Sequence, residues 1–261
     1  MPRTARTAST ISTLSAIVTA LALLTACSTS SSTSASGRAQ ILATPLAQLH
    51  RPYPVGITTR TYVDASRPTQ ANGTAPARPD RTLFTTVVYP ATATSTPTTL
   101  AGGRISAITD APADRAGGPF PLIVFAHGFG GDEQLLLPMA AKWAEAGYVV
   151  ALPRFPLTTL TSPGGINGAD IANQPADVGF VIDSITQESA SSASSPIHGA
   201  VDAGSIALAG HSNGAITTLG TIANSCCRDV RIDAAIVFAG VTSPFGGGTY
   251  DLTDIPPVLF V

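Results

Sequence analysis

"LAGHSNGAI", residues Leu208 to Ile216, is the stretch whose reading decides the fold. It holds Gly210-His211-Ser212-Asn213-Gly214, a G-x-S-x-G pentapeptide, with the apolar run "SIALAG" leading into it and a helix-like run, Ala215 to Ala223, leading out. Between a strand and a helix, the two glycines permit a tight turn and a close approach of the elements. The serine is then held in a strained conformation with its hydroxyl exposed above the sheet. In a chain with 24 glycines the pentapeptide alone could be a turn without chemistry, and it is the flanking pattern that points to a nucleophile. A serine hydroxyl attacks a carbonyl only when a base takes its proton, so the rest of the chain must be searched for that base.

Outward from this stretch the pattern alternates. "FPLIVFA" (Phe120 to Ala126) is a continuous apolar run of the kind buried on both faces of a parallel sheet. Glu133 to Ala146 then reads as an amphipathic helix, Tyr148 to Pro153 as a buried strand and Asp170 to Glu188 as a second helix. After the pentapeptide and its helix come strands at Ala234 to Gly240 and from Pro257 to Val261. Ahead of Phe120, Ile57 to Val63 and Arg81 to Tyr89 read as strands, and residues 91 to 118 as a Thr/Gly/Ala-rich connection. Strands separated by helices predict an α/β fold, a mostly parallel sheet with helices on both faces.

The second chemical element is "AHGFGGDE", residues 126 to 133, directly after one buried strand and directly before a helix. Its glycines let backbone N–H groups converge where a carbonyl oxygen would become negative; a glycine-rich turn without that role is the simpler alternative. In this geometry the donors are the N–H groups of Phe129 and of Asn213, the residue after the serine. His127 is expected to shape the loop. Phe129, Phe155 and the segment Arg154 to Gly165 follow strand ends, where they either line an apolar pocket or serve as packing and loop residues.

Together "RTLFTTVVYPA", "PLIVFAHGFGG", "LAGHSNGA" and the closing "IPPVLFV" resemble α/β-hydrolases of the chlorophyllase, dienelactone-hydrolase and platelet-activating-factor acetylhydrolase neighbourhood, including actinobacterial secreted esterases, over about residues 55 to 261. The resemblance implies a serine hydrolase acting on small or lipid-like carboxylic esters. It also implies that the catalytic acid lies in the turn after the last strand and the histidine later still. The order in such enzymes is Ser, then Asp or Glu, then His, whereas His50, His127, His198 and His211 all precede Ser212. The acid and base are therefore expected beyond Val261, the fold being cut in the strand before the acid. A fragment of a longer product, a degenerate copy or a sequence cut short would each give this pattern. Asp251 and Asp254 read as loop residues. The competing class is a catalytically inactive surface lipoprotein that keeps the scaffold for binding.

Composition sets the remaining bounds. A formal charge of −2 and 11% charged residues give no reason to expect a nucleic-acid partner, and 44% hydrophobic residues allow one sizeable core. Arg3 and Arg6, the apolar run from Ile11 to Leu24 and the tetrapeptide Leu24-Thr25-Ala26-Cys27 read as a lipoprotein signal over residues 1 to 26. Cys27 would be acylated and would tether the protein to the outer face of a bacterial membrane; an ordinary signal peptide with a chance Cys is the alternative. Residues 27 to 54 are a Ser/Thr/Pro-rich tether and lead-in, and 55 to 261 the hydrolase domain. Cys226 and Cys227 are adjacent and are expected as buried thiols, or with one bridged elsewhere, since neighbours pair only with strain. No metal or cofactor is expected.

Overall fold

The computed structural model describes residues 52 to 261 except 244 and 246. Cys27, His50 and the signal and tether lie outside the described residues. Nine strands form one sheet: β1 (Val55–Asp64), β2 (Arg81–Pro90), β3 (Thr98–Leu100), β4 (Ile105–Thr109), β5 (Phe120–Ala126), β6 (Val149–Arg154), β7 (Val201–His211), β8 (Ala234–Phe238) and β9 (Val258–Phe260). Three helices are interleaved with them: α1 (Leu137–Glu145), α2 (Gln174–Ser191) and α3 (Asn213–Ala223). The strand order is β3-β4-β1-β2-β6-β5-β7-β8-β9.

The central run from β6 to β9 is wholly parallel, as the alternation of apolar strands and helices predicts. β2 is antiparallel to both β1 and β6, so the amino-terminal strands extend the sheet as a mixed wing. The stretch expected to be a plain connection, residues 91 to 118, holds the short strands β3 and β4. Its Thr and Ala content hid them, because alternation over three to five residues leaves little periodic signal.

Helices cover both faces. α1 buries Leu137, Ala140, Ala141 and Ala144 against Val88, Val150 and Leu152. On the other face α2 and α3 bury Val178, Ile182, Leu219 and Ile222 against Leu83, Leu122, Val124 and Leu208. The expected first helix is split: Asp132 caps a single 3-10 turn, Glu133–Leu135, by accepting from the N–H of Gln134 at 3.0 Å, and α1 follows with a proline in its first turn. The second is split likewise, Asn167 capping the 3-10 turn Gly168–Asn173 ahead of α2.

The carboxyl ends of β5, β6 and β7 share one rim, with the long loops 65 to 80 and 155 to 173. These two loops are locked together. Asn72 Nδ2 donates to the carbonyls of Pro163 and Gly165 at 2.8 and 2.5 Å. Gly73 and Gly164, both at positive φ, bring their backbones so close that a Cβ on either would collide with main-chain atoms of the opposite loop. Behind the rim a buried ion cluster anchors the loop bases: Arg81 on β2 reaches Asp177 at 2.8 Å and Asp170 at 3.0 Å, and all three are shielded from water.

At the far end of α3, Cys226 and Cys227 are bonded to each other, which corrects the expectation of separate thiols. The turn after α3 places the two side chains together, the Cys226 N–H donating to Asn224 Oδ1 at 3.0 Å.

Candidate active site

Ser212 occupies the one-residue turn between β7 and α3 at φ 53° and ψ −115°, a left-handed conformation that a non-glycine residue holds at a cost of about 1–3 kcal/mol. The turn is enforced from both sides. A Cβ at Gly210 would collide with the carbonyl of Gly214, and one at Gly214 with the carbonyls of Ala126 and His127. The pentapeptide glycines therefore let α3 start directly against β7 and β5. The Ser212 N–H donates to Phe238 O at 2.9 Å, its carbonyl accepts the first bonds of α3, and its side chain is exposed.

The loop after β5 stands beside it. The position that a Cβ on Gly128 would take is 3.5 Å from Ser212 Cβ. His127 is buried; its Nε2 accepts the N–H of Phe155 at 3.1 Å, which leaves the proton on Nδ1 to be donated to Gly128 O at 2.9 Å. Burial holds its pKa below the ordinary imidazole value, consistent with this neutral form. Gly128 O also accepts the N–H of Gly131 at 2.9 Å. Since a trans peptide sets its C=O and N–H on opposite sides, the N–H of Phe129 is turned away from these partners.

Among the described residues, the N–H groups of Phe129 and Asn213 meet no protein acceptor, whereas those of Gly130 and Gly131 are spent on Thr158 O and Gly128 O. Backbone donors left unspent in this way can polarise a carbonyl oxygen where they converge on it. The Asn213 side chain is separate from this: its Oδ1 is buried without a donor.

A strap behind the loop was not visible in the sequence. The carbonyl of Thr158 accepts from Gly130 at 2.8 Å, its hydroxyl accepts from Gln174 Nε2 at 3.0 Å, and Gln174 Oε1 accepts the hydroxyl of Thr217 on α3. Thr158, Gln174 and Thr217 are all buried, and the bonds join residues 16 and 43 positions apart, so no local spacing announces them.

The other candidates fall elsewhere. His211 is Ser212's neighbour at the end of β7, and His198 lies between α2 and β7 at the opposite end of the sheet. Asp251 and Asp254 are surface groups at the far end of α3, bonded to Thr253 and Arg228. Phe129 is half exposed at the rim, while Phe155 is buried beneath His127 with ring centroids 5.0 Å apart. Among the described residues no group of three or more His, Cys, Asp or Glu side chains could hold a metal, and no helix is long and apolar enough to cross a membrane.

An α/β sheet covered on both faces, with an exposed serine in a strained strand-to-helix turn, is the class of molecule that fold and site define. A solved structure, the ferulic acid esterase from Streptomyces cinnamoneus, is similar to it with 27% identity, a TM-score of 0.58 and coverage of 82% of this chain. The chain spans 66% of the length of that esterase. No family model and no curated protein matches the chain.

Proposed function

We propose that this chain carries the nucleophile and oxyanion hole of a serine hydrolase acting on carboxylic esters, within the α/β-hydrolase superfamily. The observation that carries the reading is Ser212 at φ 53°, exposed, beside a loop whose Phe129 N–H is unspent. The similarity to an esterase supports the ester class.

In this reading Ser212 Oγ adds to the ester carbonyl carbon while its proton passes to a base. The carbonyl π electrons move onto oxygen, where the N–H groups of Phe129 and Asn213 hold the developing charge. Collapse of that adduct expels the alcohol, which takes the proton back and leaves the acyl group on Ser212. Water then repeats the sequence and releases the acid. His127 is not the base, because both its nitrogens are occupied within the loop. The base is proposed to be a histidine oriented by a carboxylate, as this chemistry requires. Cys27 is proposed as the lipidated anchor on the outer face of the membrane.

The test is covalent labelling of the full-length protein with a fluorophosphonate, followed by peptide mass spectrometry. The adduct is expected on Ser212 and absent in Ser212→Ala. Asn213→Ala should retain most of the labelling, because its donor is the backbone and its side-chain oxygen has no partner to lose. An adduct on any other residue overturns the assignment, and no labelling of a folded full-length protein favours a binding scaffold.

A further inference from the structure

The interlocked loops 65 to 80 and 155 to 173 enclose, with the ends of β2 and β6, a cavity of about 200 Å³. Strand register fixes its place. Phe84 on β2 stands opposite Arg154 on β6, and the sheet runs β2-β6-β5-β7. At about 4.8 Å per strand spacing, the end of β6 lies about 10 Å across the rim from Ser212, and Phe84 about 14 Å.

The loop after β5 touches the cavity wall, where Gly130 pairs with Thr159. The side chain of Leu160, 78% exposed, reaches within 3.6 Å of where a Cβ on Gly130 would stand, and Thr159 and Thr161 on either side of it line the cavity. Phe129, half exposed, packs on the same loop, its ring 3.4 Å from where a Cβ on Gly168 would stand.

The lining decides what fits. Phe84, 48% exposed, lines the cavity along with Pro76, Pro156 and Pro163, and Thr82 and Ser162 add hydroxyls to the same wall. Its cations are already engaged: Arg154 with Glu133 at 2.9 Å and Arg78 with Asp80 at 3.1 Å. A charged ligand would lose its water without gaining a free counter-charge. The volume is below the roughly 300–1,000 Å³ of sites that enclose a whole ligand, so it suits one ring of a larger molecule.

We infer that this cavity is a remote subsite seating an uncharged aromatic ring at the end of one arm of the ester, and that the preferred substrates are extended, aryl-terminated esters. The inference rests on the serine-hydrolase reading of Ser212.

Two measurements on the full-length protein separate them. Ethyl esters of ω-phenylalkanoic acids with increasing numbers of methylenes should show kcat/KM rising about tenfold or more once the ring reaches the cavity. Phe84→Ala should abolish that gain and leave the shortest ester unchanged; because Phe84 is half exposed, the variant should fold. Fluorine NMR titration of 4-fluorobenzyl alcohol should detect binding in wild type and in Ser212→Ala, and its loss in Phe84→Ala. Ring binding without turnover of any ester sinks the hydrolase reading alone. Turnover that ignores arm length, or ring binding that survives Phe84→Ala, sinks the subsite.

Discussion

His127 shows how a single residue can set the aim of a backbone donor. Its imidazole fills the space between Phe155 N–H and Gly128 O, so the Gly128–Phe129 peptide cannot rotate without breaking a buried bond. Replacing it by Phe keeps the bulk and removes both bonds. If the Phe129 N–H serves as the proposed oxyanion donor, kcat on a short-chain ester should fall by about 10²–10³ with KM changed much less. The same residue makes a stability prediction. Its folded-state pKa is depressed by burial, so its contribution is complete above the ordinary imidazole pKa and is lost as pH falls through the folded value. Thermal midpoints should drop between pH 7.5 and 5.5 in wild type, and the slope should be weaker in His127→Phe. Equal slopes would mean that the histidine is not held neutral.

At the scale of elements, the rim loops are tied to the sheet by buried polar groups as well as by the apolar packing of Phe155. Gln174, at the start of α2, joins Thr158 to Thr217, and Gln174→Leu would strand the buried Thr158 hydroxyl at about 1–3 kcal/mol and leave the Thr217 hydroxyl only the Asn213 carbonyl at 3.3 Å. Chemical denaturation should register that loss, whereas Gln174→Glu, which still accepts from Thr217, should be milder. Arg81→Met should cost more, about 3–5 kcal/mol, because Asp170 and Asp177 would remain buried without their shared partner.

The sequence made the central elements legible because β5, β6 and the Ile206 to Gly210 end of β7 are largely buried and read as apolar runs. The turn at Ser212 was legible because two glycines are sterically required there. The strap and the ion cluster were not, since Gln174 and Arg81 look like surface residues until tertiary pairing removes them from water. β3 and β4 are hard to read because so few residues carry their signal, and the Cys226–Cys227 bond because adjacency in sequence does not by itself announce pairing.

For the molecule as a whole, the proposed nucleophile sits at one rim of the sheet, and the proposed tether precedes β1 in sequence. If Cys27 carries lipid, Cys27→Ala should move the protein from the membrane fraction into the soluble fraction, followed by immunoblot of fractionated cells. Retention of the variant on membranes would exclude this anchor. The contact between Gly73 and Gly164 bears on how such a rim can change over generations. Neither residue can acquire a side chain while the other loop keeps its path, so the two loops are not free to diverge one at a time. New specificities around the cavity should therefore arise through coordinated changes in both loops, and among related proteins the lengths of segments 65 to 80 and 155 to 173 should vary together.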